Sequence, residues 1–249
     1  PAADIEPFGY EIFRYSPTTF EPLLSGPVDP DYPVGPGDEL MLTLWGDDQL
    51  TASLVVNREG YISVPEVGQV PVSGLTLEGV RSRLRSVLSG IYSGLRPPGQ
   101  RSTTFADVSL GKLRSIQVFL LGQVVRPGGY TVSSVARALH ALYAAGGPTR
   151  AGTLRDVRFM RDGRLAASVD LYDVLLRGDA ARDLRLQNGD VIFLPQAGRR
   201  VTVIGPARRP GIYELRVGEG LRALLQITGG LMPTAEVERA QIERVVPPE

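Results

Sequence analysis

Two arginine–tyrosine pairs carry the most suggestive chemistry in the sequence. Arg126 with Tyr130, and Arg209 with Tyr213, are set around Pro-Gly dipeptides in VVRPGGY and ARRPGIY. A guanidinium beside an aromatic ring suits contact with a sugar or a polyanion. Tyrosine packing over its own Pro-Gly turn is the structural alternative, and spacing alone leaves both open. The single histidine, His140, falls in an apolar helical pattern beside Arg137 and has no metal-binding residue four positions away, so no metal pair forms around it. Asp38-Glu39 and Asp47-Asp48 bracket an apolar stretch. Paired carboxylates serve acid–base chemistry or calcium, yet aspartate at strand ends is ordinary turn chemistry. No GxxxxGK[ST], GxGxxG or GxSxG pattern occurs, and the GPG at Gly35–Gly37 precedes a strand rather than a helix, which disfavours a phosphate cradle. The absence of cysteine excludes disulfides, thiolate zinc sites, iron–sulfur clusters and cysteine nucleophiles. The sequence therefore assigns no catalytic residue, no metal ligand and no cofactor. Arg126, Tyr130, Arg209 and Tyr213 stand as candidate ligand-binding residues.

Those four occupy equivalent places in an internal repeat. VFLLGQVVRPGGY (Val118–Tyr130) returns as VTVIGPARRPGIY (Val201–Tyr213), 83 residues on without a gap, and Gly146-Gly147 returns as Gly229-Gly230. Coincidence of so many Gly and Pro positions at one spacing marks a duplicated module. Each copy opens with a buried strand and a Pro-Gly turn. A return strand follows, then a helix over Val135–Ala145 capped by Ser133 or Ser134 and closed by the glycine pair. Asp162-Gly163 signals a hairpin, Asp170 caps a short helix, and Asn188-Gly189 turns into the strand Val191–Leu194. Strand, strand, helix, strand, strand, short helix, strand is the order of a β-grasp domain. The second copy reaches a comparable strand near Gln241–Val246 and ends at Glu249 before a closing strand.

In the first half, Leu40, Leu42 and Leu44 alternate with Met41, Thr43 and Trp45, predicting a strand with two usable faces. Leu54–Val56 and Tyr61–Val64 flank Asn57–Gly60 as a hairpin, and Gly68 marks another turn. Thr76 caps a helix with Leu77, Val80, Leu84, Leu88 and Ile91 on one face. Ser93–Thr104, with Pro97-Pro98-Gly99, reads as a loop and Phe105–Leu110 as a strand. Residues 1–31 carry six prolines and are expected to wrap over other structure rather than fold alone. Glycine and proline make up 49 of 249 residues, which points to short strands and many turns but falls short of disorder. The longest uncharged run, Ala223–Ala235, is 13 residues, too short for a spanning helix. The start at Pro1, without a leader, reads as a mature or trimmed fragment, with any lipid-bearing cysteine or anchor outside it.

The formal net charge of zero is a cancellation. Residues 1–75 set Arg14 and Arg58 against twelve acidic groups, a net of −10, and residues 76–249 carry +10. Charge split along a chain favours docking of one segment on another, within a subunit or between neighbours.

PFGYEIF (Pro7–Phe13), PTTFEP (Pro17–Pro22), YPVGPGDELMLTLWG (Tyr32–Gly46), VNREGYISVPEVGQVPVSGLTLEGVRSRL (Val56–Leu84) and LGKLRSIQVFLLGQVVRPGGYTV (Leu110–Val132) resemble outer-membrane polysaccharide export proteins. The repeated unit, with LRDVRFMRDGRLAASVDLYDVLLRGD and LQNGDVIFLP, is similar to the soluble-ligand-binding β-grasp (SLBB) module that follows in that family. The resemblance implies an α+β chain: an extended segment (1–31), a mixed α/β polysaccharide export domain (32–115), a first β-grasp, ubiquitin-like module (116–198), and a second, truncated one (199–249). It implies a periplasmic, outer-membrane-associated component of capsule or exopolysaccharide export that forms a homo-oligomeric ring and passes polysaccharide through a lumen. Its expected partners are an inner-membrane polysaccharide co-polymerase and, through anchors outside this fragment, the outer membrane; nucleic acid is not among them. The alternatives are a glycan-binding or sensing β-grasp module that forms no conduit, and an enzyme acting on the polymer, which the lack of a convergent acid, base or nucleophile disfavours.

Overall fold

The computed structural model describes residues 5–14, 31–96, 100–179, 184–236 and 241–243. PTTFEP, Pro97-Pro98-Gly99 and the expected strand beyond Glu243 lie outside these residues, and 241–243 carry no strand.

Strand β1 (Glu39–Gly46) sits between β2 (Leu50–Val55) and β5 (Thr104–Lys112), antiparallel to both. Its leucines turn inward, so Leu40, Leu42 and Leu44 are buried while Trp45 is exposed, as period-two alternation requires. β3 (Tyr61–Val64) and β4 (Gly68–Pro71) form a separate two-stranded sheet. The expected hairpin between β2 and β3 is therefore corrected. Its turn forms, with Asn57 Oδ1 accepting from the Tyr61 amide at 2.8 Å, but the strands part into different sheets. Val56 is held instead by Asp38, whose carbonyl accepts from the Val56 amide at 2.9 Å. Helix α1 (Leu77–Leu88) begins at Thr76, whose hydroxyl accepts from the Gly79 amide at 3.1 Å, and buries Leu77, Val80, Leu84 and Leu88. Ile91, expected on the same face, lies past the helix end and is exposed; Leu95 is buried in the same core instead.

The next unit is a five-stranded sheet in the order β7-β6-β10-β8-β9, formed by β6 (Ser115–Gly122), β7 (Gly128–Ser133), β8 (Val157–Arg161), β9 (Arg164–Val169) and β10 (Val191–Leu194). First and last strands lie side by side and parallel, and every other pairing is antiparallel. This is β-grasp topology, and the fold class is α+β. The Asp162-Gly163 hairpin forms with both residues at positive φ, 50° and 73°, the type I′ geometry that matches strand twist. α3 (Leu171–Arg177) starts from Asp170, whose carboxylate accepts from the Tyr172 amide. α2 runs from Ala138 to Ala144 and its N-cap is Arg137, so the serine cap is corrected. Ser133 Oγ accepts from the Val135 amide at 3.4 Å, and Ser134 is buried against Tyr32 in the preceding domain.

The second copy supplies β11 (Arg199–Val203), β12 (Gly211–Leu215) and α4 (Leu221–Ile227). α4 stands 83 residues after α2 at both ends. Helix termination is reproduced as well: Gly147 donates to Leu142 and Gly230 to Leu225, each at 2.8 Å, with positive φ at all four glycines, the αL closure that glycine permits. Residues of both copies share one core, in which Tyr213, Leu224 and Ile227 join Leu120, Leu142 and Phe159. The N-terminal segment closes over the join. The Phe8 amide donates to the Ile212 carbonyl at 2.9 Å and the Ile212 amide to the Glu6 carbonyl at 3.1 Å, and the Phe8 ring stacks on Tyr213 (5.4 Å, 24°) and meets Tyr172 edge-on (5.0 Å, 78°). Among the described residues no helix is long and apolar enough to cross a membrane.

Candidate functional site

The repeated turns have the same construction in both copies. Each tyrosine hydroxyl donates to the carbonyl of its arginine at 2.6 Å, Tyr130 to Arg126 and Tyr213 to Arg209. Each arginine Nη2 donates to the last carbonyl of the following helix, Ala144 at 2.8 Å and Ile227 at 3.1 Å, where a cation suits the orphan acceptors of a helix C-terminus. Each pair is thus brought together around its own turn. The copies differ in cover: Arg209 lies 5.7 Å over the Phe8 ring, and Tyr213 is buried while Tyr130 stays half-buried. Burial pushes the Tyr213 phenol up, against the opposing pull of Arg209. Tyr213→Phe is expected to lower stability by about 1 kcal/mol in urea unfolding, and Tyr130→Phe by less, because the Tyr213 bond is partly buried and the Tyr130 bond exposed to water. If the pairs acted on ligand instead, both variants would keep wild-type stability and lose glycan affinity.

The other sequence-flagged groups do not converge. Asp38-Glu39 and Asp47-Asp48 stand at opposite ends of β1, roughly 25 Å apart at strand rise. Asp48 accepts from the Thr104 hydroxyl at 2.7 Å, and Glu39 from the Ser53 hydroxyl at 2.5 Å. His140 Nδ1 accepts from the Arg137 amide at 3.2 Å, a local helix-start contact.

Asp38 does more than turn chemistry. It is fully buried and accepts from the Gly35 amide (2.9 Å), the Tyr32 hydroxyl (2.8 Å), the Arg114 amide (3.0 Å) and Arg114 Nη1 (2.5 Å). The Tyr32 hydroxyl has one proton, spent on Asp38, so it accepts from Ser134 Oγ at 2.7 Å. Arg114 and Arg185 lie 5.7 and 5.5 Å from the centre of the Tyr32 ring. Burial first, with the Asp38 charge adding, pushes the Tyr32 phenol up to about 12. This cluster ties the GPGD turn ahead of β1 to the strands that open the five-stranded sheet. A Cβ at Gly35 would meet Arg114 Nη1 at 2.6 Å, so a larger residue there would push the guanidinium off Asp38.

A second buried cluster joins the two copies. Arg155 is 6% exposed. It donates from Nε and Nη2 to Asp170 (3.1 and 2.9 Å), from Nη1 to the Glu214 carbonyl (3.0 Å) and to Glu219, and from Nη2 to Glu219 (3.0 Å). All five guanidinium donors are engaged. Its cation also lies 4.8 Å from the Tyr172 ring centre. Buried Glu214 accepts from Thr153 Oγ1 and the Gly198 amide, both at 2.8 Å, and Arg216 reaches back to Asp170 at 3.1 Å. Burial alone would raise the Glu219 carboxyl, but the bonds from Arg155 and Arg216 outweigh it and hold the group below its ordinary range. Sequence patterning missed this cluster, since Arg155 and Asp170 sit at element ends with no periodic signal. The duplication is the signal that two modules must meet.

The class the fold defines is a mixed α/β region followed by a β-grasp sheet and a partial second copy that shares its core. The profile of the polysaccharide biosynthesis/export protein family matches residues 26–98, and SLBB domain profiles match residues 116–194 and 200–248. The chain thus carries a polysaccharide biosynthesis/export match followed by two SLBB matches, an order that supports a protein of polysaccharide export with SLBB modules. Two polysialic acid transport proteins KpsD of Escherichia coli are 29% and 28% identical to it over 190 residues, 76% of this chain and 32% of theirs. The chain thus spans about a third of the length of these relatives.

Proposed function

We propose that the chain forms part of a periplasmic component of an outer-membrane polysaccharide export channel, acting by ring assembly and by passage of capsule or exopolysaccharide through a lumen, without chemistry. The observation that carries this reading is the ordered match of an export domain and two SLBB modules, in a chain whose relatives are named for polysialic acid transport. An inner-membrane co-polymerase and outer-membrane anchoring outside residues 1–249 belong to the same proposal. So does division near residues 31, 115 and 198; the separate cores of the export region and of the modules support the one near 115.

Two features support self-assembly. Phe119, Leu121 and Phe193 stand exposed on the outer face of the five-stranded sheet, with Phe193 beside Leu121 in register; a contiguous apolar patch of this kind favours protein contact. The split of charge supplies complementary surfaces, since Arg155, Arg161 and Arg216 find carboxylates within the basic part of the chain and the acidic part retains its excess. The test is the oligomeric state of the whole protein in detergent, by light scattering and electron microscopy. Rings are expected, dissociating on Phe119→Asp and weakening in ~0.5 M salt through screening. A monomer whose deletion leaves polysaccharide export intact overturns the reading, and a monomer that binds glycan replaces it with a sensing module.

A further inference from the structure

The sheet β2-β1-β5 has one buried face and one open face, and the open face has a composition unlike the rest of the molecule. Trp45 on β1 pairs in register with Phe105 on β5. Their rings are nearly parallel, with centroids 5.8 Å apart and 21° between planes, and they remain 47% and 46% exposed. Along the same face run Thr43 opposite Thr51 and Asp107, and Met41 opposite Ser53 and Ser109. Asp47, just past β1 and two residues from Trp45, is exposed. In a chain rich in arginine, these three strands contain none; their one cation is Lys112, at the far end opposite Glu39. Arg81 approaches only the edge, 3.8 Å from Asp107.

We propose that this face binds a neutral stretch of glycan, with Trp45 and Phe105 as the stacking platform and Thr43, Thr51, Asp107 and Ser109 as hydrogen-bonding partners for sugar hydroxyls. The inference rests on the polysaccharide reading above and adds a site and a ligand class to it. A pyranose ring presents polarised C–H groups on one face, and an aromatic face is electron-rich, so the two attract. A sugar's rim carries hydroxyls that both donate and accept, and the hydroxyl and carboxylate side chains around the rings meet that need. The excess of carboxylate over cation disfavours an anionic polymer, which would meet like charge. A protein partner fits less well: two rings fringed by hydroxyls lack the contiguous apolar centre of a protein contact, which Phe119, Leu121 and Phe193 provide elsewhere on the molecule.

Trp45 is the only tryptophan in the chain, so its fluorescence reports on this face alone. Titration with cellohexaose and with dextran is expected to give a saturable change in intensity and a blue shift, with polysialic acid giving weaker binding at low salt. Phe105→Ala keeps the reporter and is expected to weaken binding about three- to tenfold. Asp107→Asn leaves both rings in place and is expected to weaken it less, which keeps the test decisive if Phe105→Ala loses its fold by circular dichroism. Affinity electrophoresis in dextran gels supplies the second readout. Retardation that survives Trp45→Ala, or polysialic acid binding more tightly than the neutral glycans, overturns the platform and leaves the export reading standing. Absence of binding to any polysaccharide by either readout overturns the platform; the export reading then falls only if the whole protein also fails to form rings. A blue shift that grows with protein concentration without sugar assigns the face to self-contact and also overturns the proposal.

Discussion

Asp38→Ala is expected to destabilise the protein by about 3–5 kcal/mol, measured as a lower urea midpoint at unchanged slope. The substitution removes a fully buried carboxylate and strands its donors together. The Arg114 guanidinium keeps its charge with its side chain 26% exposed, the Tyr32 hydroxyl loses its acceptor, and the Gly35 and Arg114 amides lose theirs. Breaking a buried pair costs more than the pair contributes, because the remaining charge is left unsolvated. Asp38→Asn retains one acceptor oxygen but loses the charge that Arg114 pairs with and turns an NH2 toward a site of mostly donors, so it is expected to recover little. Tyr32→Phe removes the bond to Asp38 and the acceptor of buried Ser134 but leaves no charge unpaired, for about 1–2 kcal/mol. A junction held by ring packing would instead tolerate Asp38→Ala and lose most of its stability in Tyr32→Ala, so comparing those two variants separates it from a charge-centred one.

What the sequence made legible was whatever repeats or alternates. The 83-residue duplication marked the turns, the glycine closures and the helices of both copies, since backbone conformations such as the αL pair Gly146-Gly147 admit few residue types. Alternation placed Leu40, Leu42 and Leu44 inward, and Thr76 and Asp170 marked helix starts through cap chemistry. Illegible were contacts between residues far apart in the chain. Ser134 looked like a helix cap until Tyr32, 102 residues away, claimed its hydroxyl. Asn57–Gly60 looked like a hairpin because a local turn motif cannot say which sheet each arm joins. The Arg–Tyr pairs were found but not resolved between ligand contact and turn packing, because both uses need the same spacing. Asp38 and Arg155 carry no periodic signal, and they organise the two junctions.

Arg155→Met is expected to cost about 3–5 kcal/mol and to loosen the second module before the first. Methionine fills much of the volume but satisfies none of the five acceptor contacts, leaving Asp170 with Arg216 and the Tyr172 amide, and Glu219 with the Arg216 amide. Hydrogen exchange should localise the loss: amides of β12 and α4 are expected to lose protection while those of β6 and β10, inside a complete sheet, retain it. Uniform loss would mean that the modules unfold as one unit and that the cluster does not hold the second module separately. Arg155→Lys restores charge but offers three donors from a point cation, so it should rescue only part of the stability. The cluster also fixes a direction for pH. Glu219 is held below its ordinary range when folded, so its contribution is complete above the unfolded carboxyl value of about 4.3 and is lost as pH falls through the lower folded value. Glu219→Gln is accordingly expected to lower stability at neutral pH and to flatten the acid limb of the stability curve. An unchanged acid limb in Glu219→Gln would show that other carboxylates carry the acid sensitivity of the join.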